Sequence, residues 1–201
     1  VPITKNKANL TMVFTDNTFL EGESEIDKST LKSIEKVYYK NRVALNRDAR
    51  RAIMEANYVI IGPGNFYCSI VSNLVVNGFQ KVISKSKAKI ILAINLTNKE
   101  GHTNDWTVSS YVNKIEEYLG RKVDFILVNN EKPLAKQTKY YKKQIKGELL
   151  VKNDMNDSRI IEKALLSHKL FKNKRGDAVK RSFIRHDSDK LAECVNKIIN
   201  K

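Results

Sequence analysis

Three short apolar runs, "YVII" (Tyr58 to Ile61), "AKIILAIN" (Ala88 to Asn95) and "VDFILV" (Val123 to Val128), set the strongest limit on what this chain can fold into. Each is too short for a stable helix and is apolar throughout rather than alternating, as strands buried on both faces of a parallel sheet must be. The intervals between them carry helical patterns. Tyr67 to Val76 reads as one helix, and Phe79 to Lys85 as a second after the punctuation of Gly78. Val108 to Leu119 places Tyr111, Val112, Ile115 and Leu119 on one face, with Gly120 closing the C-terminus. Strand, helix, strand, helix, strand at these lengths predicts an α/β fold with a doubly wound, mainly parallel sheet.

The flanks add smaller elements. Residues Asn9 to Thr15 alternate, and Asp16-Asn17 turns them into Thr18 to Leu20, which predicts a hairpin. After "EGESEID", the run Ile34 to Tyr39 is a further strand. Asn46 caps a helix predicted over Arg47 to Glu55, with Ala49, Ile53 and Ala56 on one face. Beyond Pro133 the pattern loosens into a helix to about Ile145, short segments "GELLV" and "IIEKALL", a basic loop "KNKRGDAVK" and a closing helix from Asp187 to Ile199. No repeat or low-complexity linker divides the chain, so residues 1 to 201 are expected to form a single domain.

Composition narrows the function classes. No apolar run approaches the ~20 residues that span a bilayer, and no leader pattern opens the chain, which gives a cytoplasmic expectation. Cys68 and Cys194 stand far apart with no CxxC spacing or His cluster, which indicates neither a metal site nor a disulfide. Cys68 is expected to be a small buried residue. The formal charge of +15 is mostly Lys scattered along the chain rather than Arg gathered on one face, so it argues against a nucleic-acid partner. The densest stretch, "KQTKYYKKQIK", also fits an amphipathic helix whose Lys stems cover apolar surface.

In an open parallel sheet, ligands bind beyond the carboxyl ends of the strands. The loops there are "GPGNFYCS", "NLTNKEGHTND" and "NNEKP". They carry Gly, Asn, Thr and Ser rather than paired carboxylates, and so offer neutral donors and backbone amides suited to phosphate and ribose oxygens. Gly62 and Gly64 permit a close turn, Pro63 stiffens it, and Asn65 or Ser69 can cap the helix that follows. Local pattern alone favours packing punctuation for this turn, since it is neither a Walker loop nor GxGxxG. His102 has no nucleophile paired with it by spacing and reads as an exposed histidine; His168 receives no role. Arg185, His186 and Asp187 precede a helix that Asp187 or Ser188 can cap, and Arg185 can fork a phosphate or pair with Asp187 or Asp189.

Taken in order, the blocks "ANYVIIGPGNFYCSIVSNLVVNGFQKVISKS", "INLTNKEGHTNDWTVSSYVNKIEEYLG", "VDFILVNN" and "RHDSDKLAECV" resemble the YvcK/CofD-like family over essentially the whole chain. That family includes gluconeogenesis factors and 2-phospho-L-lactate transferases, and the resemblance implies a Rossmann-like, CofD-like fold. The gluconeogenesis-factor motif GPGSLYTSIxPNLLV is matched at Gly62, Pro63, Gly64, Tyr67, Ser69, Ile70, Asn73 and Leu74, with Asn65, Phe66, Cys68 and Ser72 as departures. NxMTQxGET is matched at Asn95, Thr97, Gly101 and Thr103, while Leu96, Asn98 and His102 depart; a usual Asp-His pair appears as Ser110-Tyr111. RHDPxKLA is matched at Arg185, His186, Asp187, Lys190, Leu191 and Ala192. Members begin with a glycine-rich GGGTG strand-turn absent here, so roughly one hundred residues are expected ahead of Val1 on the scale of an ordinary domain.

The resemblance implies a nucleotide or nucleotide-sugar ligand held by Gly62, Pro63, Gly64, Asn65, Tyr67, Ser69, Asn73, Asn95, Thr97, Gly101, Thr103, Arg185 and His186. It implies no metal and no established cofactor, and it leaves any catalytic residue unidentified. The function it favours is a regulator that binds a ligand such as UDP-N-acetylglucosamine and affects carbon metabolism, cell-wall synthesis and cell shape. A regulatory protein partner and a homo-oligomer are compatible with that role. The rival is a transferase like the 2-phospho-L-lactate enzyme, moving a phospholactyl group from a guanosine diphosphate donor to a deazaflavin; His102 in place of Glu and the lost Asp-His pair thin its base and metal candidates. The order of the blocks turns "GPGN" from packing punctuation into half of a phosphate cradle.

Overall fold

A computed structural model describes residues 1–29, 33–141, 149–169 and 184–200. Its centre is a parallel sheet ordered β4-β5-β6-β7, made of β4 (Tyr58–Ile61), β5 (Lys89–Ala93), β6 (Phe125–Asn129) and β7 (Ile160–Lys163). The three apolar runs of the sequence become its first three strands, in register Val59↔Ile90 and Leu92↔Ile126. The α/β class and the parallel sheet expected from the runs are therefore present. Sheet order follows chain order, so each strand end opens beside the next and the loops after β4 and β5 lie next to each other.

Helices cover both faces. On one face, α5 (Val108–Leu119) buries Val108, Tyr111, Val112, Ile115 and Leu119. Thr107 and Ser110 close its first turn as a capping box, and Gly120, at φ 65, ends it in the left-handed conformation glycine tolerates. On the other face α7 (Ser188–Ile199) lays Cys194 and Ile198 over Ile91, Ala93 and Leu127. Asp187 caps α7 by accepting from the amides of Asp189 and Lys190. The remaining helices are α2 (Arg47–Glu55), capped by Asn46 as expected, α3 (Ser72–Leu74), α4 (Phe79–Ile83) and α6 (Ala135–Tyr141).

A second, antiparallel sheet ordered β2-β1-β3 is formed by β1 (Leu10–Phe14), β2 (Phe19–Glu21) and β3 (Ile34–Tyr39). Its inner face, Leu10, Met12, Phe14 and Val37, joins Ile90, Leu92, Ile126 and the α5 residues in one hydrophobic cluster. The two sheets thus share a core, and the hairpin cannot be removed without exposing it.

Three expectations need correction, and one segment without an assigned element gains one. "EGESEID" holds a short helix, α1 (Glu23–Asp27), whose Ile26 is fully buried and whose acidic Glu23 and Glu25 suit a helix start. The segment after GPGN begins as a π-helix (Phe66–Val71), because the Asn65 carbonyl accepts from both Ser69 and Ile70 amides. The wider turn lets consecutive Phe66, Tyr67 and Cys68 all face inward. β4 is not buried on both faces: it is the edge strand, and Ile60 remains 51% exposed because α7 covers only its neighbours. His102 is buried rather than exposed. The expected helix beyond residue 141 and the basic loop "KNKRGDAVK" lie outside the described residues.

Met12 is fully buried on the central strand of the hairpin sheet. Met12→Ala is expected to cost about 2–5 kcal/mol in urea unfolding. Far-ultraviolet dichroism and the fluorescence of Trp106, the chain's one tryptophan, should report one coincident transition. Separate transitions would show that the two sheets do not share a core.

Candidate functional site

The loop after β4 is joined to the end of β5 by one side chain. Asn95 Nδ2 donates to the Gly64 carbonyl at 2.9 Å, and Asn95 Oδ1 accepts from the Gly64 amide at 3.2 Å. A Cβ on Gly64 would lie 3.3 Å from Ser69 Cβ, so the π-helix leaves little room there for any other residue. The next residue, Asn65, accepts from the Cys68 amide at 3.3 Å and donates to Asp27 at 2.5 Å.

The second wall comes from the far end of the chain. Ser167 N donates to the Arg185 carbonyl at 2.9 Å, and Asp187 N to the Leu165 carbonyl at 2.8 Å. This short antiparallel pairing carries Arg185 and His186 to the carboxyl end of the sheet. Between the walls lies a cleft of about 340 Å³ lined by Pro63, Gly64, Asn65, Asn95, Leu96, Thr97, Ile184, Arg185 and His186. Among the described residues, its lining holds one guanidinium and no carboxylate.

Seven of the residues expected from the sequence meet in this cleft: Pro63, Gly64, Asn65, Asn95, Thr97, Arg185 and His186. The other six stand elsewhere. Gly62 is exposed one residue before the cleft. Tyr67 is 3% exposed and packs edge-on against Phe66, Trp106 and His102. Ser69 of the π-helix and Asn73 of α3 are both exposed, and Asn73 Nδ2 donates to the Ser69 carbonyl at 2.7 Å. Gly101 supplies a positive φ of 79, and its amide donates to Asn104 Oδ1. Thr103 is buried and its hydroxyl accepts from the Lys99 amide and the Tyr111 hydroxyl, so it staples the loop internally. The cleft also takes in Leu96 and Ile184, whose apolar side chains a sequence pattern assigns to the core. The third loop does not line the cleft; Asn129 ties it to the Leu165 amide.

Electrostatics follow from burial. Burial, and then the Lys99 charge, lower His102 to about 4. Its Nε2 faces the Ile26 carbonyl at 2.8 Å and therefore carries the proton, which leaves Nδ1 buried with no partner among the described residues. Burial likewise lowers His186 to about 4, and its Nε2 has no partner among the described residues. Burial pushes the Cys68 thiol up to about 11, so it is an inert packing residue as expected.

These histidines give a pH prediction. Unfolded histidine titrates near 6.5, whereas both imidazoles in the fold stay neutral to about 4. Between those values the unfolded chain binds more protons, so stability falls as pH drops from about 6.5 to about 4, by up to about 3 kcal/mol per histidine. Urea midpoints from pH 7.5 to 4.5 measure the slope, and His102→Gln should flatten it; an equal slope in that variant would refute the assignment.

Comparison with known proteins gives consistent matches. The family model described as 2-phospho-L-lactate transferase CofD matches residues 1–171. A "Putative gluconeogenesis factor" of Thermotoga maritima is 33% identical over 198 residues, 98% of this chain and 61% of that protein. One of Clostridium acetobutylicum is 32% identical over 200 residues, 96% of this chain and 42% of that protein. A crystal structure from Bacillus halodurans, described as a member of the UPF0052 family, superposes with a TM-score of 0.79 at 25% identity, over 98% of this chain and 61% of that one. The chain thus spans 42 to 61% of the length of these relatives. Among the described residues, no helix is long and apolar enough to cross a membrane.

Proposed function

The chain belongs to the CofD family, and we propose that it is a cytoplasmic regulator of the gluconeogenesis-factor type whose cleft takes the phosphate portion of a nucleotide or nucleotide-sugar, of the UDP-N-acetylglucosamine class. Its ligand state would act on carbon metabolism, cell-wall synthesis and cell shape. The observation that carries this reading is the lining itself. A cleft that joins one guanidinium to neutral Asn and Thr side chains, with no carboxylate among its described lining residues, favours an anion. Leu96 and Ile184 supply apolar walls against which a sugar or base can rest. The cleft of about 340 Å³ is at the small end of ligand sites, so it fits part of such a ligand rather than all of it.

The relatives named as gluconeogenesis factors support the regulatory branch. The family description supports a transferase as the second reading. A transferase needs a base poised at the reacting group. Here Asp27, a carboxylate held by Asn65 of the cleft wall, is already engaged by Asn65 and Lys99, and Thr103 and Tyr111 bond to each other inside the loop.

Calorimetric titration of the purified protein with UDP-N-acetylglucosamine and UDP tests the proposal. Binding is expected in the wild type and should weaken on the order of tenfold in Arg185→Ala, the scale of one charge-assisted hydrogen bond. Absence of binding for every uridine nucleotide, or unchanged binding in that variant, would overturn it. Turnover of a guanosine diphosphate donor, followed by chromatography, would establish the transferase reading instead.

A further inference from the structure

One carboxylate behind the cleft touches both of the loops that build it. Asp27, at the end of α1, accepts on a single oxygen from Asn65 Nδ2 at 2.5 Å and from the Lys99 ammonium. Two donors on one oxygen stand within roughly 6 Å of each other, so a second cation sits beside Asn65 of the cleft wall. The pair is only partly screened from water: the Lys99 side chain is 37% exposed and that of Asp27 is 41% exposed. The two partners are not equally free to move. α1 is pinned next to Asp27 by His102, which donates to the Ile26 carbonyl at 2.8 Å, and Asp27 retains its bond to Asn65 if Lys99 leaves. Lys99 has a long flexible stem and can swing.

We propose that Asp27 is a positioning residue that holds Lys99 in check as a second cation of the cleft, released to a ligand carrying two linked phosphates. This deepens the reading of the cleft as an anion site and rests on it. One phosphate meets Arg185 and the other exchanges Asp27 for itself on the Lys99 ammonium. A ligand with a single phosphate leaves the Asp27–Lys99 pair closed. The latch therefore discriminates by the number of linked anionic groups, and its strength is set by an element outside the cleft wall.

The test uses inorganic pyrophosphate and inorganic phosphate as probes, titrated by calorimetry and by Trp106 fluorescence into the wild type, Asp27→Asn, Lys99→Met and the double variant. Asn at position 27 keeps an acceptor for Asn65 and removes the charge that competes for Lys99. Asp27→Asn should bind pyrophosphate on the order of fivefold tighter, the scale of one partly exposed ion pair, with phosphate little changed. Lys99→Met alone should weaken pyrophosphate by a similar factor, and the double variant should show no gain. A residue that merely shaped the loops would weaken binding of both anions when changed. Weaker or unchanged pyrophosphate binding in Asp27→Asn, a gain that persists without Lys99, or an unaffected Lys99→Met would each overturn the latch while leaving the anion site standing. Binding of neither probe to any of the four proteins would overturn both.

Discussion

The two hydrogen bonds between the Asn95 carboxamide and the Gly64 backbone are the join on which the site depends. Parallel strands have no hairpin to connect their ends, so the loops that leave them must be fixed by something else. Here a donor and an acceptor of one planar amide meet the acceptor and donor of one residue, which sets both position and orientation. Gly64 suits that contact because a side chain would press on Ser69. With this loop fixed, Asn65 can reach the Cys68 amide in front and Asp27 behind. Pro63 and Thr97 then face the same opening as Arg185.

The parts of the fold that sequence makes legible are those where one physical quantity decides. The lengths of the apolar runs specified β4, β5 and β6, and helical spacing with a closing glycine specified α5. Other features depend on packing between distant segments. An edge strand and a central strand carry the same run of Ile and Val, so the exposure of Ile60 could not be read from "YVII". The π-helix arises because one carbonyl takes two amides while three neighbouring side chains turn inward, and a helical pattern does not encode that widening. In the site, loop composition pointed to the right segments but not to side-chain direction. Thr97 and Thr103 occur in one loop, yet the first lines the cleft and the second bonds inside the loop.

Charge illustrates the same division. The chain carries +15, but pairs such as Lys40–Glu21 and Lys197–Glu193 lie in open solvent, where ion pairs contribute little and salt screens them. The local charge of the cleft does not follow from that total. It follows from which residues line it: among the described residues, the cleft joins Arg185 to neutral side chains with no acidic residue beside them. A cation near apolar walls such as Leu96 and Ile184 acts on a ligand through less water than the same cation on the surface.

The hairpin sheet has a place in this arrangement beyond completing the core. Its appended α1 presents the Glu23 carbonyl to the Cys68 thiol, the Ile26 carbonyl to His102 and the Asp27 carboxylate to Asn65 and Lys99. β3 adds a bond from the Tyr39 hydroxyl to the Ser72 carbonyl at 2.9 Å. These contacts run along the π-helix and into the loop after β5, the two segments between which the cleft opens. Because Met12 and Phe14 pack in the same cluster as Tyr67, Val71 and Tyr111, the hairpin sheet cannot shift without disturbing the π-helix that follows Asn65 of the cleft wall. A ligand that altered the Asp27 contacts would therefore act on the hairpin through a rigid path, and a partner gripping the hairpin would act on the ligand by the same free energy.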